Sequence, residues 1–304
     1  MIPKRAVKWS IAIPAAVTRN ASHLREKTRI LGQIARAAAI YRIDEILIYP
    51  NTPLQRPDRR TEEIATILTF LDTPQYLRKQ LFPLTKTLRY SGTLPPLRTP
   101  HHPLTKTTKE VQIGEYREGV ALTTRRGVTY VNIGLDVPAV LKNVTVVPKT
   151  RISTQITTVT PEYVEVTLLN REEINIYWGY RVTVSNCPLG VMINQGNYDI
   201  AIFTSKYGKS INTSTSILKR RWHRATNVLI VFGSPEEGLR QILGKEKTKI
   251  KIPYLTLNTI PQQGVKTIRV EEAIHATLAL LNFIYKQGEI EWVEEEQKPL
   301  DMGH

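Results

Sequence analysis

Apolar and polar positions change their period several times along the chain. "VKWSIAI" at 7–13 and "DEILIY" at 44–49 are short, nearly continuous apolar runs, the pattern of strands buried on both faces. Between them Ile30, Ile34, Ala37, Ala38 and Tyr41 recur at helical spacing. A strand, a helix and a strand within about fifty residues predict parallel strands joined by a crossover helix. "TEEIATILTFL" and "TPQYLRKQL" read as two further helices, the second with Thr73 as N-cap and Pro74 at its first position.

The pattern then shifts. "RYSGTLPPLRTPHHPLT" is too rich in proline and turn residues to continue a helix. From Val111 to about Val184 the chain alternates in short runs: "VQIGEYREGVALTT", "GVTYVNIGL", "NVTVV", "RISTQITTV", "YVEVTLL" and "NIYWGYRVTV". Several short strands in about eighty residues predict a small β-barrel, of OB or SH3-like type. Beyond Cys187 the α/β pattern returns, with "YDIAIFTS", "NVLIVFGSP" and "YLTLNT" as strands and "PEEGLRQIL" and "RVEEAIHATLALLNFIYKQ" as helices. The expected organisation is one α/β domain split by an all-β insert: 1–90, the insert at 91–185, then 186–290, with an acidic tail at 291–304.

Charge adds a partner. The 304 residues carry 42 basic and 27 acidic side chains, a net charge of +15, which points to an acidic partner and above all to nucleic acid. A lysine- and arginine-rich surface kept for solubility is the bland alternative. Cys187 is the single cysteine, so neither an intrachain disulfide nor a cysteine-based zinc site is expected. The adjacent His101 and His102 have no cysteine or carboxylate at ligand spacing, so a structural role is expected and no metal. The N-terminal apolar run is too short and interrupted for a signal peptide or a membrane span, which predicts a soluble, cytoplasmic chain.

Three stretches carry a resemblance: "GQIARAAAIYRIDEILIY", "LIVFGSPEEGL" and "LNTIPQQGVKTIRVEEAI". Together they resemble the SPOUT class of RNA methyltransferases. "LRYSGTLPPLRTPHHP" and "YREGVAL" resemble the insert of its archaeal and eukaryotic subgroup, which carries an OB-like barrel. The resemblance covers nearly the whole chain except the tail. It implies a parallel-sheet α/β domain with a trefoil knot in its C-terminal part, interrupted by the barrel. It also implies S-adenosylmethionine as cofactor and a homodimer with the cofactor near the partner subunit.

Carried onto this sequence, the resemblance places the cofactor between two glycine turns. Leu257, Asn258, Ile260, Pro261, Gln262, Gln263, Gly264, Thr267, Ile268 and Ala273 would form one wall. Leu257, Ile260 and Ile268 suit the adenine, Gln262 and Gln263 offer amides, and Gly264 permits close backbone approach. Phe232, Gly233, Ser234, Pro235 and Gly238 would form the second wall, with Thr204 from a third loop. Either glycine turn alone reads as an ordinary strand-to-helix connection. Arg36, on the first long helix, matches the place where related knotted enzymes carry a functional arginine; otherwise it is a solvent-facing helix residue.

Three groups are expected to meet RNA. Arg125 and Arg126 project from a hairpin tip of the insert, suited to phosphates. Arg220, Arg221 and Trp222, with His223 beside them, combine cations with an aromatic ring, as RNA grips do; the competing reading puts Trp222 in the core of an amphipathic helix. Arg269 precedes the last helix, where a cation is mildly unfavourable without an anionic partner, while Glu271 and Glu272 suit the helix dipole. The expected function is S-adenosylmethionine-dependent methylation of RNA, most of all ribosomal RNA. The rival readings are a non-catalytic RNA-binding or chromosome-associated protein that keeps the cofactor fold, and a DNA-binding OB protein on a structural α/β scaffold.

Overall fold

The computed structural model describes residues 2–50, 58–222 and 224–296, with side chains described as far as Lys286. His223 and the end of the expected acidic tail lie outside the described residues. In chain order the elements are β1 Lys8–Pro14, α1 Leu24–Ile40, β2 Glu45–Tyr49, α2 Arg59–Asp72, α3 Gln75–Leu81, β3 Tyr116–Arg125, β4 Val128–Asn132, β5 Ala139–Lys142, β6 Arg151–Val159, β7 Val164–Leu169, β8 Arg181–Val184, α4 Leu189–Gln195, β9 Ile200–Ser210, α5 Ile211–Trp222, β10 Asn227–Val231, α6 Leu239–Glu246, β11 Tyr254–Asn258 and α7 Val270–Glu296. They form two compact units. One comprises Ala6–Ala65 and the chain from Arg181 onward; the other comprises the residues up to Arg5 and Thr66–Tyr180.

The first unit is a six-stranded sheet in the order β11-β9-β10-β1-β2-β8, parallel at every pairing. Its strands need apolar residues on both faces because helices cover both. On one face Ala12, Leu47, Ala201, Phe203, Leu229 and Val231 pack with Leu189, Met192 and Ile193 of α4 and Leu239 and Ile242 of α6. The other face takes α1, α5 and α7, with α7 lying against both α1 and α5. There Trp9 stacks flat on Trp222 at 5.3 Å between ring centroids, and Tyr285 of α7 meets both edge-on. The predicted β1–α1–β2 crossover is present, with β1 parallel to β2.

The second unit contains a closed five-stranded barrel in the order β3-β4-β5-β7-β6, with one parallel seam between β5 and β7. Its interior holds Val131, Ile133, Leu141, Ile152, Ile156, Val164 and Val166. At the β3–β4 tip Arg125 pairs with Val128, leaving Arg126 (φ 48°) and Gly127 (φ 77°) as a two-residue loop, both left-handed as a type I′ turn requires.

Three local expectations are corrected. "RVTV" at 181–184, read with the barrel strands, is the edge strand of the parallel sheet, beside β2. "NVTVV" at 143–147 is not a strand; the barrel uses Ala139–Lys142 instead. Thr73 does not cap α3. Its hydroxyl donates back to the Thr69 carbonyl at 2.8 Å, and Pro74 takes the N-cap position with no side-chain bond.

His101 and His102 prove to be core residues of the second unit. Both direct Nε2 at the main-chain carbonyl of Asp72, each at 2.7 Å. The Asp72 carboxylate lies 3.3 Å from His101 and receives the Tyr180 amide and the Arg151 guanidinium, each at 3.0 Å. Arg151 also donates to Glu118 at 2.7 Å, and Glu118 accepts from Ser153 and Trp178.

Candidate functional site

Parallel sheets bind ligands beyond the carboxyl ends of their strands, where the connecting loops diverge. In the first unit β9, β10 and β11 end side by side, and their loops enclose a cavity of about 560 Å³. That is the size of a small-molecule site.

The β10 loop is a tight turn. The Ser234 amide donates to the Glu237 carbonyl at 3.0 Å, and the Glu237 amide returns to Ser234 Oγ at 2.8 Å. The Gly238 amide donates to Gln241 Oε1 at 3.1 Å, which caps α6. The turn is held from beneath by Tyr49, whose buried hydroxyl donates to the Phe232 carbonyl at 2.6 Å. Burial, and secondarily the charge of Glu246, raise the Tyr49 pKa well above its ordinary value, so the group stays a neutral donor.

The β9 loop is an excursion within a strand. Pairing runs to Phe203 opposite Thr256, then resumes at Lys209 opposite Leu257, so 204–208 are looped out between consecutive residues of β11. Thr204 Oγ1 donates to the Val231 carbonyl at 3.0 Å, tying this loop to β10. Asn258 of β11 donates to the Lys206 carbonyl at 3.0 Å. The β11 loop is anchored in turn by Thr259, whose hydroxyl meets that of Thr277 on α7 at 2.8 Å.

The cavity brings together Thr204 from the first loop and Phe232, Gly233, Ser234, Pro235 and Gly238 from the second. From the third come Asn258, Ile260, Gln263, Thr267 and Ile268, with Ala273 of α7. Leu257, Pro261, Gln262 and Gly264 do not line it. Leu257 faces the core, and Gln262 takes a left-handed φ of 57° beside the mouth. A Cβ built on Gly264 meets nothing within 4 Å, so close packing in this fold is not what calls for glycine there. Sequence reasoning missed the rest of the β9 loop (Ser205, Lys206, Tyr207) and the rim residues Glu236, Glu237, Arg240 and Lys266. The pairing jump that throws out 204–208 leaves no trace in residue pattern; only the glycine at 208 hints at it.

The other expected residues lie apart from the cavity. Arg36 is on the exposed side of α1. Arg220 and Arg221 close the last turn of α5, which returns toward the amino ends of the strands, the opposite end from the cavity; basic residues suit that helix end in any case. Trp222 is buried and stacked on Trp9, so its ring is already used by the core and offers no face to a base. Arg269 is exposed just before α7, and its amide is capped by Glu272 at 2.9 Å. Arg125 and Arg126 are exposed at the hairpin tip of the second unit. No group of three or more potential metal ligands occurs, and no helix is long and apolar enough to cross a membrane, among the described residues.

Comparison with known proteins converges on one chemistry. Residues 8–281 match the family model described as "Putative RNA methyltransferase". A 28S rRNA (uridine-N(3))-methyltransferase of Drosophila melanogaster is 32% identical, covering 90% of this chain and 61% of that protein. The protein of the same description from Homo sapiens is 31% identical, covering 91% and 78%. An uncharacterized protein of Haloarcula marismortui is 31% identical over 90% of this chain and 98% of its own. The chain thus spans less than two thirds of the fly relative and nearly all of the archaeal one. With nine tenths of its length inside the family match, the chain belongs to the RNA methyltransferase family.

Proposed function

We propose that this chain is an S-adenosylmethionine-dependent methyltransferase of ribosomal RNA, with uridine N3 as the acceptor named by its fly and human relatives. The observation that carries the reading is the cavity where three parallel strands end. Its size suits a nucleoside-bearing donor, and Phe232, Leu239, Ile260, Ile268 and Val270 give the apolar walls an adenine needs. Glu236 and Glu237 are the cavity's carboxylates, the charge a sulfonium tolerates. When bound, the donor supplies a methyl group whose bond to sulfur breaks as the bond to the acceptor nitrogen forms. Uracil N3 gives its proton to water for this, and Lys206 and Lys266 at the rim favour the anion that remains to take the methyl group.

The finer architecture is part of the same proposal. The α/β unit, Ala6–Ala65 and the chain from Arg181 onward, is a SPOUT domain with a trefoil knot, interrupted by an insert that lies within Thr66–Tyr180. The barrel order supports an OB-type insert: numbered along the chain, its strands run first, second, third, fifth, fourth, with the third and fifth parallel. The exposed Arg125 and Arg126 then serve RNA phosphates. The protein acts as a homodimer, in which Arg36 works beside the partner's cavity. Exposed Phe283 on α7 and Ile40 on α1 support this, since these two helices pack together and leave apolar surface uncovered. Light scattering across a dilution series is expected to give twice 34.6 kDa; a monomer with full activity removes the dimer from the mechanism.

The central test uses the full chain. Calorimetry is expected to show one donor bound per chain, and donor at about 100 times its Kd to add roughly 2.7 kcal/mol of stability. Radiolabelled donor is expected to label ribosomal RNA from a strain lacking the gene, with 3-methyluridine found by nucleoside mass spectrometry. Donor binding without transfer to any RNA would leave a non-catalytic binder.

A further inference from the structure

Tyr207 stands at the cavity mouth, 86% exposed, although hydrogen bonds hold its loop in place. Thr204 ties the start of its loop to β10, Asn258 holds the carbonyl of Lys206, and the Tyr207 amide donates to Ser205 Oγ at 3.2 Å. Gly208 then lies directly against the main chain of Leu257 and Asn258. A pinned loop that holds an aromatic ring in water forgoes the burial that usually places tyrosine. The Lys206 ammonium lies 5.1 Å from the ring centroid, which puts a cation beside a π-face.

We infer that Tyr207 is the platform on which an unpaired RNA base stacks at the entrance to the methyl-donor cavity, with Lys206 supplying positive charge beside it; the inference rests on the methyl-transfer reading. The chemistry selects this occupant over the donor's own adenine. A ring inside the donor's slot would be enclosed by the walls that hold Ile260 and Ile268, whereas Tyr207 is open to solvent. Sequence-specific and catalytic handling of RNA works on bases splayed out of the stack, and aromatic rings flanked by cations receive them. Lys206, Arg240 and Lys266 line the same cavity and place positive charge where the attached phosphates would run.

The test compares Tyr207→Ala and Tyr207→Phe in the full chain. The probe is a pyrimidine oligoribonucleotide of about twelve nucleotides carrying one fluorescent base analogue that stacking quenches, a length within the usual single-strand site sizes. Tyr207→Ala is expected to weaken RNA binding roughly 5- to 150-fold, the range of one lost base–aromatic stack, and to abolish the quench. Tyr207→Phe is expected to keep both. Donor affinity by calorimetry is expected to stay unchanged in both variants. The slope of log affinity against log salt is also expected to hold, because no phosphate contact is removed. Unchanged RNA affinity in Tyr207→Ala overturns the inference. So does a loss of donor affinity equal to the loss of RNA affinity, which would put the ring in the donor site. A wild-type protein that binds no donor overturns the methyl-transfer reading instead, and the RNA arm still reports on Tyr207.

Discussion

Arg151→Met is expected to leave the barrel unit about 3–5 kcal/mol less stable, the range measured when one partner of a buried ion pair is removed. The guanidinium meets two carboxylates, Asp72 at 3.0 Å and Glu118 at 2.7 Å, both within the core. Methionine fills similar space but strands both charges. Adding Asp72→Asn and Glu118→Gln to Arg151→Met is expected to recover part of the loss, because the stranded charges go with them. Urea unfolding, read by hydrogen exchange of the β3 and β6 amides, separates this unit from the sheet. A loss under about 1 kcal/mol would mean water reaches the cluster and the charges are not stranded.

The same cluster sets an acid dependence. For Asp72 burial pushes the pKa up, but His101 and Arg151 outweigh it and hold the carboxyl well below the ordinary range. Glu118 is lowered too: burial opposes, while Arg151 and His101 prevail. His102 is pushed down to about 3, by burial first and by His101 second. All three shifts have one sign: on acidification the unfolded chain takes up protons that the folded chain refuses. Stability is therefore complete above the unfolded values, begins to fall near pH 6.5 through His102, and falls further near pH 4 as the two carboxylates join. Arg151→Met is expected to shallow the part of this dependence near pH 4 and leave the His102 part in place.

Much of the α/β unit is legible in the sequence because parallel strands covered on both faces must be continuously apolar. β1, β2, β9 and β10 announce themselves in this way, and α1 by its buried stripe. What the sequence conceals has a physical cause in each case. β8 is an edge strand with alternate residues exposed, so "RVTV" looks like a barrel strand; its paired residues on β2 lie 136 positions earlier in the chain, as Glu45 opposite Arg181. α5, "INTSTSILKRRW", is poor in helix formers, so its end reads equally as an RNA grip and as an amphipathic helix. Burial of Ile211, Leu218 and Trp222 makes it a helix, a case of packing overriding propensity. Two of the three cavity loops follow from their turn residues, since Pro235 and Pro261 restrict the chain locally and Gly233 lets it turn tightly. The third depends on which residue of β9 sits opposite which residue of β11, a long-range fact that no local pattern encodes.

That long-range fact makes Gly208 the glycine on which the cavity depends most. Gly208→Ala is expected to weaken donor binding at least tenfold and to cost about 1–3 kcal/mol or more of stability, the usual penalty for overfilling a packed site. A Cβ at this position would lie 2.6 Å from the Leu257 carbonyl carbon and 2.8 Å from the amide nitrogens of Leu257 and Asn258. All three are main-chain atoms, so no side chain can turn aside to make room. Relief requires β9 to move away from β11 where their pairing resumes after the excursion, and that carries Thr204 and Ser205 out of the cavity wall and shifts Lys206 and Tyr207 at its mouth. Gly264→Ala is the control. The new methyl would meet nothing within 4 Å, so stability is expected to hold within about 0.5 kcal/mol, as at most surface sites. Donor affinity then distinguishes two reasons for a glycine. If Gly264→Ala also loses the donor, backbone approach to the ligand itself matters there; if it does not, Gly264 is a connector. Thermal unfolding and calorimetry on both variants decide it, and wild-type donor affinity in Gly208→Ala would show that the β9 loop is not a wall of the donor site.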